Sequence, residues 1–389
     1  MQPKTSKNID EAAFNRIKKT AKNMINSQRM QKKEGCFATP VPEEIGLQLT
    51  NQCNLRCRHC FEWNDKGYNH ELTKDELNTD LNYKVIEQVL EKTRSNRANL
   101  YLWGGEPMVY SHWDRLCTDL ETEKRWSVLC TNGILVEDKM DSLLKISENL
   151  AILTSVEGFE KENDSIRGKG SYQKVMKGID EVLRLQKKGI FKGLQSIHIT
   201  VSDAMIGKLY DFMEFCEEIG IDTVYFCLPW YIPKEVSAEM DEYYRKHFGW
   251  LGSAGEKLPN WHSFKFHIKE ENITALQNEF RRIGERIWKS RIRYQPALEI
   301  DEIPEYVRGG TRTAQSRQRC LGACNRMDIL TDGSVSSCKL FSEFTVGNLN
   351  HMKLEEVWHG EKFNRIRRHL ADELMPVCSK CILLYLNGR

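Results

Sequence analysis

Three cysteines stand close together near the start of the chain, Cys53, Cys57 and Cys60, at the spacing C-x3-C-x2-C. They directly follow a short alternating apolar run, residues 45–50, which predicts a strand with the cysteines on the loop that leaves it. A structural zinc site would need a fourth thiol or imidazole, and His59 is poorly placed because it is adjacent to Cys60. Three thiolates on one loop instead suit a [4Fe–4S] cluster with one iron left without a protein ligand.

The spacing of these cysteines after a first strand resembles the signature of the radical S-adenosylmethionine (radical SAM) superfamily. The resemblance implies that Cys53, Cys57 and Cys60 hold a [4Fe–4S] cluster whose remaining iron binds S-adenosylmethionine (AdoMet). It also places His59, in the variable slot of the loop, near the adenine edge of AdoMet; the alternative is that His59 only shapes the loop. Zinc binding stays open on this motif alone.

A Gly-Gly-Glu-Pro stretch, residues 104–107, ends the second predicted strand. On its own it would be an ordinary turn. At this position it resembles the radical SAM motif that holds the methionyl amine of AdoMet. The resemblance implies that Glu106 receives the ammonium group and that Gly104 and Gly105 contribute backbone contacts.

Two further motifs follow the third and fourth predicted strands. Residues 131–133, Thr-Asn-Gly, resemble the TNG turn of the family, although a plain Asn-Gly turn explains them equally well. Residues 155–158 resemble its usual Ser-x-Asp-Gly, with Glu157 in place of aspartate, so the contact of Glu157 is left open between a ribose and a substrate hydroxyl. By the same match, Ser155 and Arg167 would hold the AdoMet carboxylate, to which a guanidinium is suited by its planar pair of donors.

Residues 44–228 alternate short apolar runs with helical stretches. Repeated β–α units with short turns predict a parallel sheet with helices outside it. Six units predict an α/β fold, a partial (β/α)6 TIM-like barrel, which is also the radical SAM core, with chemistry at the C-terminal ends of the strands. The predicted strands are 45–50, 100–103, 126–131, 151–156, 197–201 and 223–228, and the predicted helices are 73–95, 111–122, 137–147, 171–188 and 204–219.

Tyr225 and Cys227 share one face of the sixth predicted strand by alternation. If that face is the interior, either side chain could donate a hydrogen atom to a substrate radical; the alternative is that both fill the core. No catalytic residue is therefore assigned from the sequence.

The segments on either side of the barrel are predicted to be separate units. Residues 1–43 form an N-terminal helical extension that covers one end of the main domain, and residues 229–315 form an insertion or linker that packs on the barrel or contacts substrate. A helix is predicted at 273–289. The apolar face of the first helix is Ala12, Ile17, Ala21, Met24 and Ile25, and that of the later one is Leu276, Phe280, Ile283 and Ile287.

A second group of cysteines lies in residues 316–389. Cys320 and Cys338 frame a predicted hairpin with an Asp-Gly turn, and Cys378 and Cys381 form a C-x2-C pair after a helix at about 354–369. A zinc ribbon would use similar ligands. Next to a radical SAM core the region resembles the SPASM/twitch domains, and because no cysteine follows Cys381 it implies one auxiliary iron–sulfur cluster, of [4Fe–4S] type, as in the shorter twitch form. Cys324 is an alternative ligand to Cys320.

Composition restricts the possible partners. Lys and Arg total 57 against 55 Asp and Glu, so no overall charge favours nucleic acid or a membrane surface. Thirteen cysteines without an export signal favour metal ligation in a reducing cytoplasm over a disulfide framework.

The resemblance implies an enzyme that cleaves AdoMet reductively to a 5′-deoxyadenosyl radical, which removes a hydrogen atom from a substrate. The expected substrate is a ribosomally made precursor peptide, modified by a crosslink, a thioether, epimerisation or backbone excision. The expected partners are an electron donor such as flavodoxin or ferredoxin and a separate peptide-recognition protein. The alternatives are a twitch-type dehydrogenase of a small alcohol such as an aminocyclitol, and a non-enzymatic zinc-binding module.

Overall fold

A large, mostly parallel β-sheet forms the centre of the computed structural model, which describes residues 1, 3–252 and 257–387. Its order is β12-β11-β10-β2-β3-β4-β5-β6-β7-β9, and every neighbouring pair from β10 to β9 is parallel. The strands are β1 (Lys4–Thr5), β2 (Glu44–Gln48), β3 (Asn99–Trp103), β4 (Ser127–Thr131), β5 (Leu150–Ser155), β6 (Leu194–Thr200), β7 (Thr223–Cys227), β8 (Ile287–Trp288), β9 (Arg291–Gln295), β10 (Arg326–Ile329), β11 (Ser334–Ser336) and β12 (Thr345–Asn348).

Helices cover the outer face of this sheet, as the connections between parallel strands require. They are α1 (Glu11–Lys33), α2 (Lys74–Leu77), α3 (Tyr83–Lys92), α4 (Trp113–Glu123), α5 (Met140–Ile146), α6 (Glu160–Arg167), α7 (Ser171–Lys187), α8 (Leu209–Ile219), α9 (Lys234–Phe248), α10 (Ile273–Glu285), α11 (Ile303–Val307), α12 (Gly322–Asn325), α13 (Leu354–Trp358), α14 (Glu361–Asp372) and α15 (Ile382–Asn387).

The two faces of the strands differ in character because side chains alternate along each strand. The outward positions are apolar and fully buried under the helices, for example Leu102, Ile152 and Ile197. The positions between them face the barrel interior, and several of these are polar and only half-buried, such as His198 and Tyr225. The polar interior is therefore accessible, whereas the hydrophobic core lies outside the sheet.

The predicted fold class, a partial barrel of six β–α units, is confirmed. Strands β2 to β7 lie within a few residues of their predicted positions, since each is a short apolar run with turn signals on both sides. Strand β9 beyond β7 was not predicted, nor was the pairing of β10, a strand of the predicted hairpin, with β2. The sequence of β9 alternates polar and apolar residues, which is a strand pattern, but β9 lies in residues 229–315, for which an insertion or linker was predicted.

One predicted apolar face is wrong, and a second is right except at one residue. Helix α1 exists, but Ile17 and Ile25 are exposed, and the helix packs through Ala13, Ser27 and Gln31 instead. Gln31 is hydrogen-bonded there, because its Nε2 donates to the carbonyl of Cys320, at 3.0 Å. Helix α10 ends at Glu285, so Ile287 is 64% exposed, whereas Leu276, Phe280 and Ile283 are buried as predicted.

The hairpin formed by β10 and β11 joins the C-terminal region to the barrel. It turns at Gly333, where φ is +79°, as the Asp-Gly sequence predicts. Strand β10 pairs with β2, and Gly46 faces Asp328 there. A Cβ atom on Gly46 would lie 1.9 Å from Asp328 Oδ1, so this close approach requires glycine. The helix predicted at 354–369 is divided into α13 and α14.

No helix in the described residues is long and apolar enough to cross a membrane.

Candidate cofactor and substrate site

The first three cysteines lie on the loop after β2, as predicted, at the C-terminal edge of the barrel. Burial raises the pKa of Cys53 to about 12 and also raises those of Cys57 and Cys60, and repulsion from the neighbouring thiols adds to the rise at Cys53 and Cys60. The three thiols therefore lie within electrostatic range of one another on this loop, although the described residues contain no ready-made group of three metal-ligating side chains. Such a donor set fits a cationic iron centre, which supplies the positive charge that three thiolates need.

Backbone hydrogen bonds join the Gly-Gly turn at the end of β3 to the cysteine loop. Gly105 donates its N–H to the carbonyl of Thr50, at 2.9 Å, and Glu106 donates to that of Gln52, at 2.8 Å. A Cβ atom on Gly104 would lie 2.5 Å from the Thr50 oxygen, and one on Gly105 would lie 2.2 Å from the Gln52 oxygen. The glycines thus permit close backbone packing beside the three thiols. Their backbone contacts to AdoMet stay a prediction.

Glu106 is fully buried, and three hydrogen bonds hold its carboxylate. Oε1 accepts from Thr131 Oγ1 at 2.8 Å and from the Met108 N–H at 3.2 Å, and Oε2 accepts from the Asn132 N–H at 2.8 Å. Burial raises the pKa of Glu106, and these donors oppose that rise. Oε2 has one donor and can accept a second hydrogen bond, which fits the ammonium group predicted for this position.

The Thr-Asn-Gly turn orients that carboxylate, a role that the sequence did not reveal. Besides the two bonds to Glu106, Asn132 Nδ2 donates to Asn54 Oδ1 at 2.6 Å, so the turn also contacts the cysteine loop. In the sequence, the position of this turn at a strand end was the signal that pointed to a role in the site.

Glu157 forms a buried ionic network with the two other charged residues predicted for the site. Its Oε1 accepts from Arg167 Nη2 at 2.5 Å and Nε at 3.1 Å, and from His59 Nε2 at 2.8 Å. Its Oε2 accepts from the Thr200 N–H at 2.8 Å. Burial alone would raise the pKa of Glu157, but its pairing with His59 and Arg167 outweighs burial and holds that pKa well below the usual range.

The hydrogen bonds of this network leave some donor and acceptor atoms available for a ligand. Arg167 uses Nε and Nη2 on Glu157, and its Nη1 lies 3.8 Å from Cys57 Sγ. His59 donates from Nε2, since its partner is a carboxylate, and its Nδ1 is buried without a partner in the described part of the chain. That orphaned acceptor fits a donor group on a bound ligand, as the adenine prediction requires.

The interior of the barrel carries a row of polar side chains on adjacent strands. Ser155 in β5 pairs with His198 in β6, His198 with Tyr225 in β7, and Tyr225 with Arg293 in β9. Cys227 lies in the next row toward the cysteine loop, so Tyr225 and Cys227 share the interior face. This row lies deeper in the barrel than the Glu157 network. Glu157 accepts a hydrogen bond from Thr200, the last residue of β6, and His198 precedes Thr200 in the same strand.

The second set of thiols converges although its members come from distant segments. Burial raises the pKa of Cys338, and repulsion from Cys381, Cys378 and Cys320 raises it further, so the four thiols lie within electrostatic range of one another. Cys324 is fully buried beside Gln31 Nε2, at 3.5 Å, and among these four thiols only Cys320 affects its pKa. The geometry favours Cys320 over Cys324 as the member of this set.

Two parts of the chain match known families. Residues 47–213 match the Radical SAM superfamily, and residues 320–382 match SPASM, an iron–sulfur cluster-binding domain. The chain belongs to the radical SAM superfamily. It is a radical SAM enzyme with a C-terminal SPASM domain, so the alternative of a non-enzymatic zinc module is wrong.

The similar proteins are distant. The enzyme is 25% identical over 350 residues to an AdoMet-dependent heme synthase of Methanosarcina barkeri, covering 88% of this chain and 89% of that one. It is 28% identical over 190 residues to a pre-heme d1 synthase of Dinoroseobacter shibae, covering 48% of this chain and less than half, 43%, of that one. Among solved structures, SuiB of Streptococcus suis bound to the precursor peptide SuiA has a TM-score of 0.57 at 16% identity, covering 92% of this chain and 72% of that one.

Proposed function

We propose that this radical SAM SPASM enzyme modifies a precursor peptide by hydrogen abstraction inside the barrel. One observation carries the proposal: the three-thiol loop and the Glu157 network lie at one end of the polar barrel interior. The set of four thiols lies beside that interior. When bound, the [4Fe–4S] cluster and AdoMet supply a carbon-centred radical that removes a hydrogen atom. The chain's own residues bind and orient the reactants.

Each proposed contact uses an atom that the structure leaves available. Cys53, Cys57 and Cys60 hold the first cluster, and Cys320, Cys338, Cys378 and Cys381 hold one auxiliary cluster. Glu106 accepts the AdoMet ammonium through Oε2, which has one internal donor. Ser155 and Nη1 of Arg167 receive the carboxylate, and His59 Nδ1 accepts from the adenine.

An aromatic cluster next to the cysteine loop supports a peptide as substrate. Its half-buried members, Phe61 and Trp230, stack with 6.1 Å between ring centroids, and Phe264, at 4.8 Å from Phe61, is buried behind them. Half-buried aromatic rings suit extended chains because they offer large, rigid contact areas. The similarity of fold to SuiB, which binds SuiA, adds to this support.

The radical chemistry is tested with the anaerobically reconstituted protein, AdoMet and dithionite. Cys57→Ala is expected to abolish formation of 5′-deoxyadenosine, whereas Cys36→Ala, a half-buried thiol outside both sets, keeps it. If Cys57→Ala forms 5′-deoxyadenosine as fast as the parent protein, the assignment of the first cluster is wrong.

The substrate is tested by co-expression with peptides from short reading frames next to the gene. A change in peptide mass that requires Cys57 supports the proposal. Unchanged masses for every such peptide, with AdoMet cleavage intact, contradict it.

A haem precursor is the second candidate, because the match to the heme synthase spans nearly the whole of both chains. The test is a titration of the reconstituted enzyme with iron coproporphyrin, followed by its visible absorption band. Saturable binding and a Cys57-dependent change in porphyrin mass would favour this candidate over a peptide.

A further inference from the structure

Helix α1 concentrates positive charge on one element of the chain. It carries seven basic residues and one glutamate, a net charge of +6, whereas the whole chain has 57 basic against 55 acidic residues. The rest of the chain therefore has 50 basic against 54 acidic residues, a net charge of −4. The near-zero overall charge thus hides a strongly basic helix on an acidic body, and such a helix attracts anionic partners.

Two of these basic residues hold the helix on the barrel. The guanidinium of Arg16 lies over the ring of Trp126, 4.0 Å from its centroid, and Lys19 Nζ donates to the carbonyl of Asn96 at 2.9 Å. Trp126 directly precedes β4 and Asn96 precedes β3, so α1 lies at the N-terminal ends of the barrel strands. The cysteine loop follows the C-terminal end of β2, so the two features are at opposite ends of the sheet.

Three other cations form a row on the outer face of α1. Lys18, Lys22 and Arg29 are exposed, and their spacing of four and seven residues places them on one side of the helix. In residues 1, 3–252 and 257–387 they form no ion pair and no side-chain hydrogen bond. This basic row is therefore open to an anionic partner.

A row of exposed apolar side chains runs beside the basic row. Phe14, Ile17 and Ile25 are 56%, 46% and 65% exposed, and Ala21 completes their spacing of three, four and four residues. Ile9, in the segment before the helix, is 50% exposed. Four of the nine large apolar side chains exposed in the described residues thus lie on this helix or directly before it. Single exposed apolar residues are normal, but a continuous apolar row indicates a binding surface.

The two rows together favour one kind of partner. A second copy of this chain would bring two helices of charge +6 together, which repulsion opposes. Nucleic acid would use the basic row and leave the apolar row in water. A protein partner is disfavoured because lysine is depleted at protein interfaces. An anionic lipid surface uses both rows, since apolar side chains enter the headgroup boundary while lysine and arginine contact the headgroups.

We propose that the outer face of α1 binds an anionic lipid surface, with the apolar row in the headgroup boundary and the basic row on the anionic headgroups. In this arrangement the helix lies on the membrane and does not enter its hydrocarbon core. Because α1 and the cysteine loop are at opposite ends of the barrel strands, the loop stays free for substrate. The inference does not depend on which substrate the enzyme modifies.

The experiment measures co-sedimentation of the full chain with lipid vesicles. Vesicles of phosphatidylcholine and phosphatidylserine at about 3:1 are compared with vesicles of phosphatidylcholine alone. Binding to the anionic vesicles is expected to be about tenfold tighter or more, and to weaken as salt is raised from about 0.1 M to about 0.5 M. Equal binding to the two lipids, or no binding to the anionic one, would overturn the inference.

A pair of variants with the same change of charge locates the contact. Lys18→Glu with Lys22→Glu is expected to weaken binding to the anionic vesicles about a hundredfold, because two attractions become repulsions. Lys187→Glu with Lys188→Glu, at exposed positions at the end of α7, is the control and should change it less than about threefold. Equal losses in the two double variants would mean that overall charge, and not α1, causes the binding.

A second pair tests the apolar row. Ile17→Ser is expected to weaken binding about fivefold, because the side chain no longer gains from leaving water. Ile190→Ser, at a side chain that is 50% exposed elsewhere on the surface, should have no effect. AdoMet cleavage without vesicles checks the folding of all these variants and is expected to stay at the parent rate. Unchanged binding of Ile17→Ser would contradict insertion of the apolar row.

The other occupants are tested with the parent protein. Analytical ultracentrifugation detects a second copy, and binding of poly-L-glutamate represents an acidic protein. A dimer that Ile17→Ser dissociates would assign the face to a second copy and overturn the inference. Binding of poly-L-glutamate without binding of anionic vesicles would overturn it in favour of an acidic protein. Neither result would affect the proposed reaction at the cysteine loop.

Discussion

The two sets of thiols in this chain are built in opposite ways. The first uses one loop, in which Cys53 and Cys60 are separated by a few residues, and the carboxylates beside it, Glu106 and Glu157, follow the ends of barrel strands. The second gathers Cys320, Cys338 and the Cys378–Cys381 pair from three segments that meet only in the folded protein. The local set has three thiols and so leaves an iron for a ligand, whereas the non-local set has four and fits a fully ligated cluster.

The clearest test of this difference compares two neighbouring cysteines. Cys320→Ala is expected to remove the auxiliary cluster, a loss of about four irons of eight per chain, because it removes one of the four thiolates that hold this cluster. Cys324→Ala should keep all of the iron, since Cys324 packs against Gln31 outside the set. Iron analysis and the absorption spectrum after anaerobic reconstitution measure both. Iron loss in Cys324→Ala with retention in Cys320→Ala would reverse the assignment.

Substitution of either of two glycines is expected to disturb the backbone beside one set of thiols and not the other. Gly105→Ala would force a Cβ atom to 2.2 Å from the Gln52 oxygen, and Gly46→Ala would force one to 1.9 Å from Asp328 Oδ1. Each is expected to destabilise the protein by about 3 kcal/mol or more, as overpacking against a fixed neighbour does. Gly105→Ala should lower the yield of the first cluster, and Gly46→Ala that of the auxiliary one.

Gly284→Ala is the matched control, because nothing lies within 4 Å of its added Cβ. Chemical denaturation and iron content are the measurements. A variant at Gly46 that lost only the first cluster would contradict the role of Gly46 in docking the hairpin.

The Glu157 network predicts a loss of stability that depends on pH. Glu157→Gln leaves Arg167 with no buried carboxylate and is expected to cost about 3–5 kcal/mol of unfolding free energy. Glu157→Asp, which restores the residue usual in the family, should cost about 1 kcal/mol, because a shorter carboxylate still pairs with the guanidinium. Denaturant unfolding of the protein without clusters measures both.

The sign of the pH dependence follows from the lowered pKa of Glu157. A carboxyl group whose pKa is lower in the folded state stabilises the fold above its ordinary pKa, and this contribution is lost as the pH falls through the folded value. The difference between the parent and Glu157→Gln should therefore be constant at neutral pH and shrink below about pH 4. A difference that grows on acidification would contradict the network.

The two regions also differ in how much of them could be predicted from sequence. The barrel strands and the residues at their ends follow from short apolar runs and local motifs, so Cys57, Glu106 and Glu157 were found at strand ends as expected. Their partners were not, because the bonds from Thr131 to Glu106 and from His59 to Glu157 join segments that only the fold brings together.

The smallest effect concerns the turn that orients Glu106. Thr131→Val keeps the shape of the side chain but removes the hydroxyl that donates to Oε1 at 2.8 Å, which is expected to cost about 1 kcal/mol. Because Glu106 keeps its bonds to Asn132 and Met108, the cluster should remain, while the Kd for AdoMet rises about fivefold as the carboxylate loses its fixed orientation. Equilibrium dialysis with labelled AdoMet measures the Kd, and Thr118→Val, on the exposed face of α4, is the control. An unchanged Kd with lowered stability would mean that the turn supports the fold only and that Glu106 does not contact AdoMet.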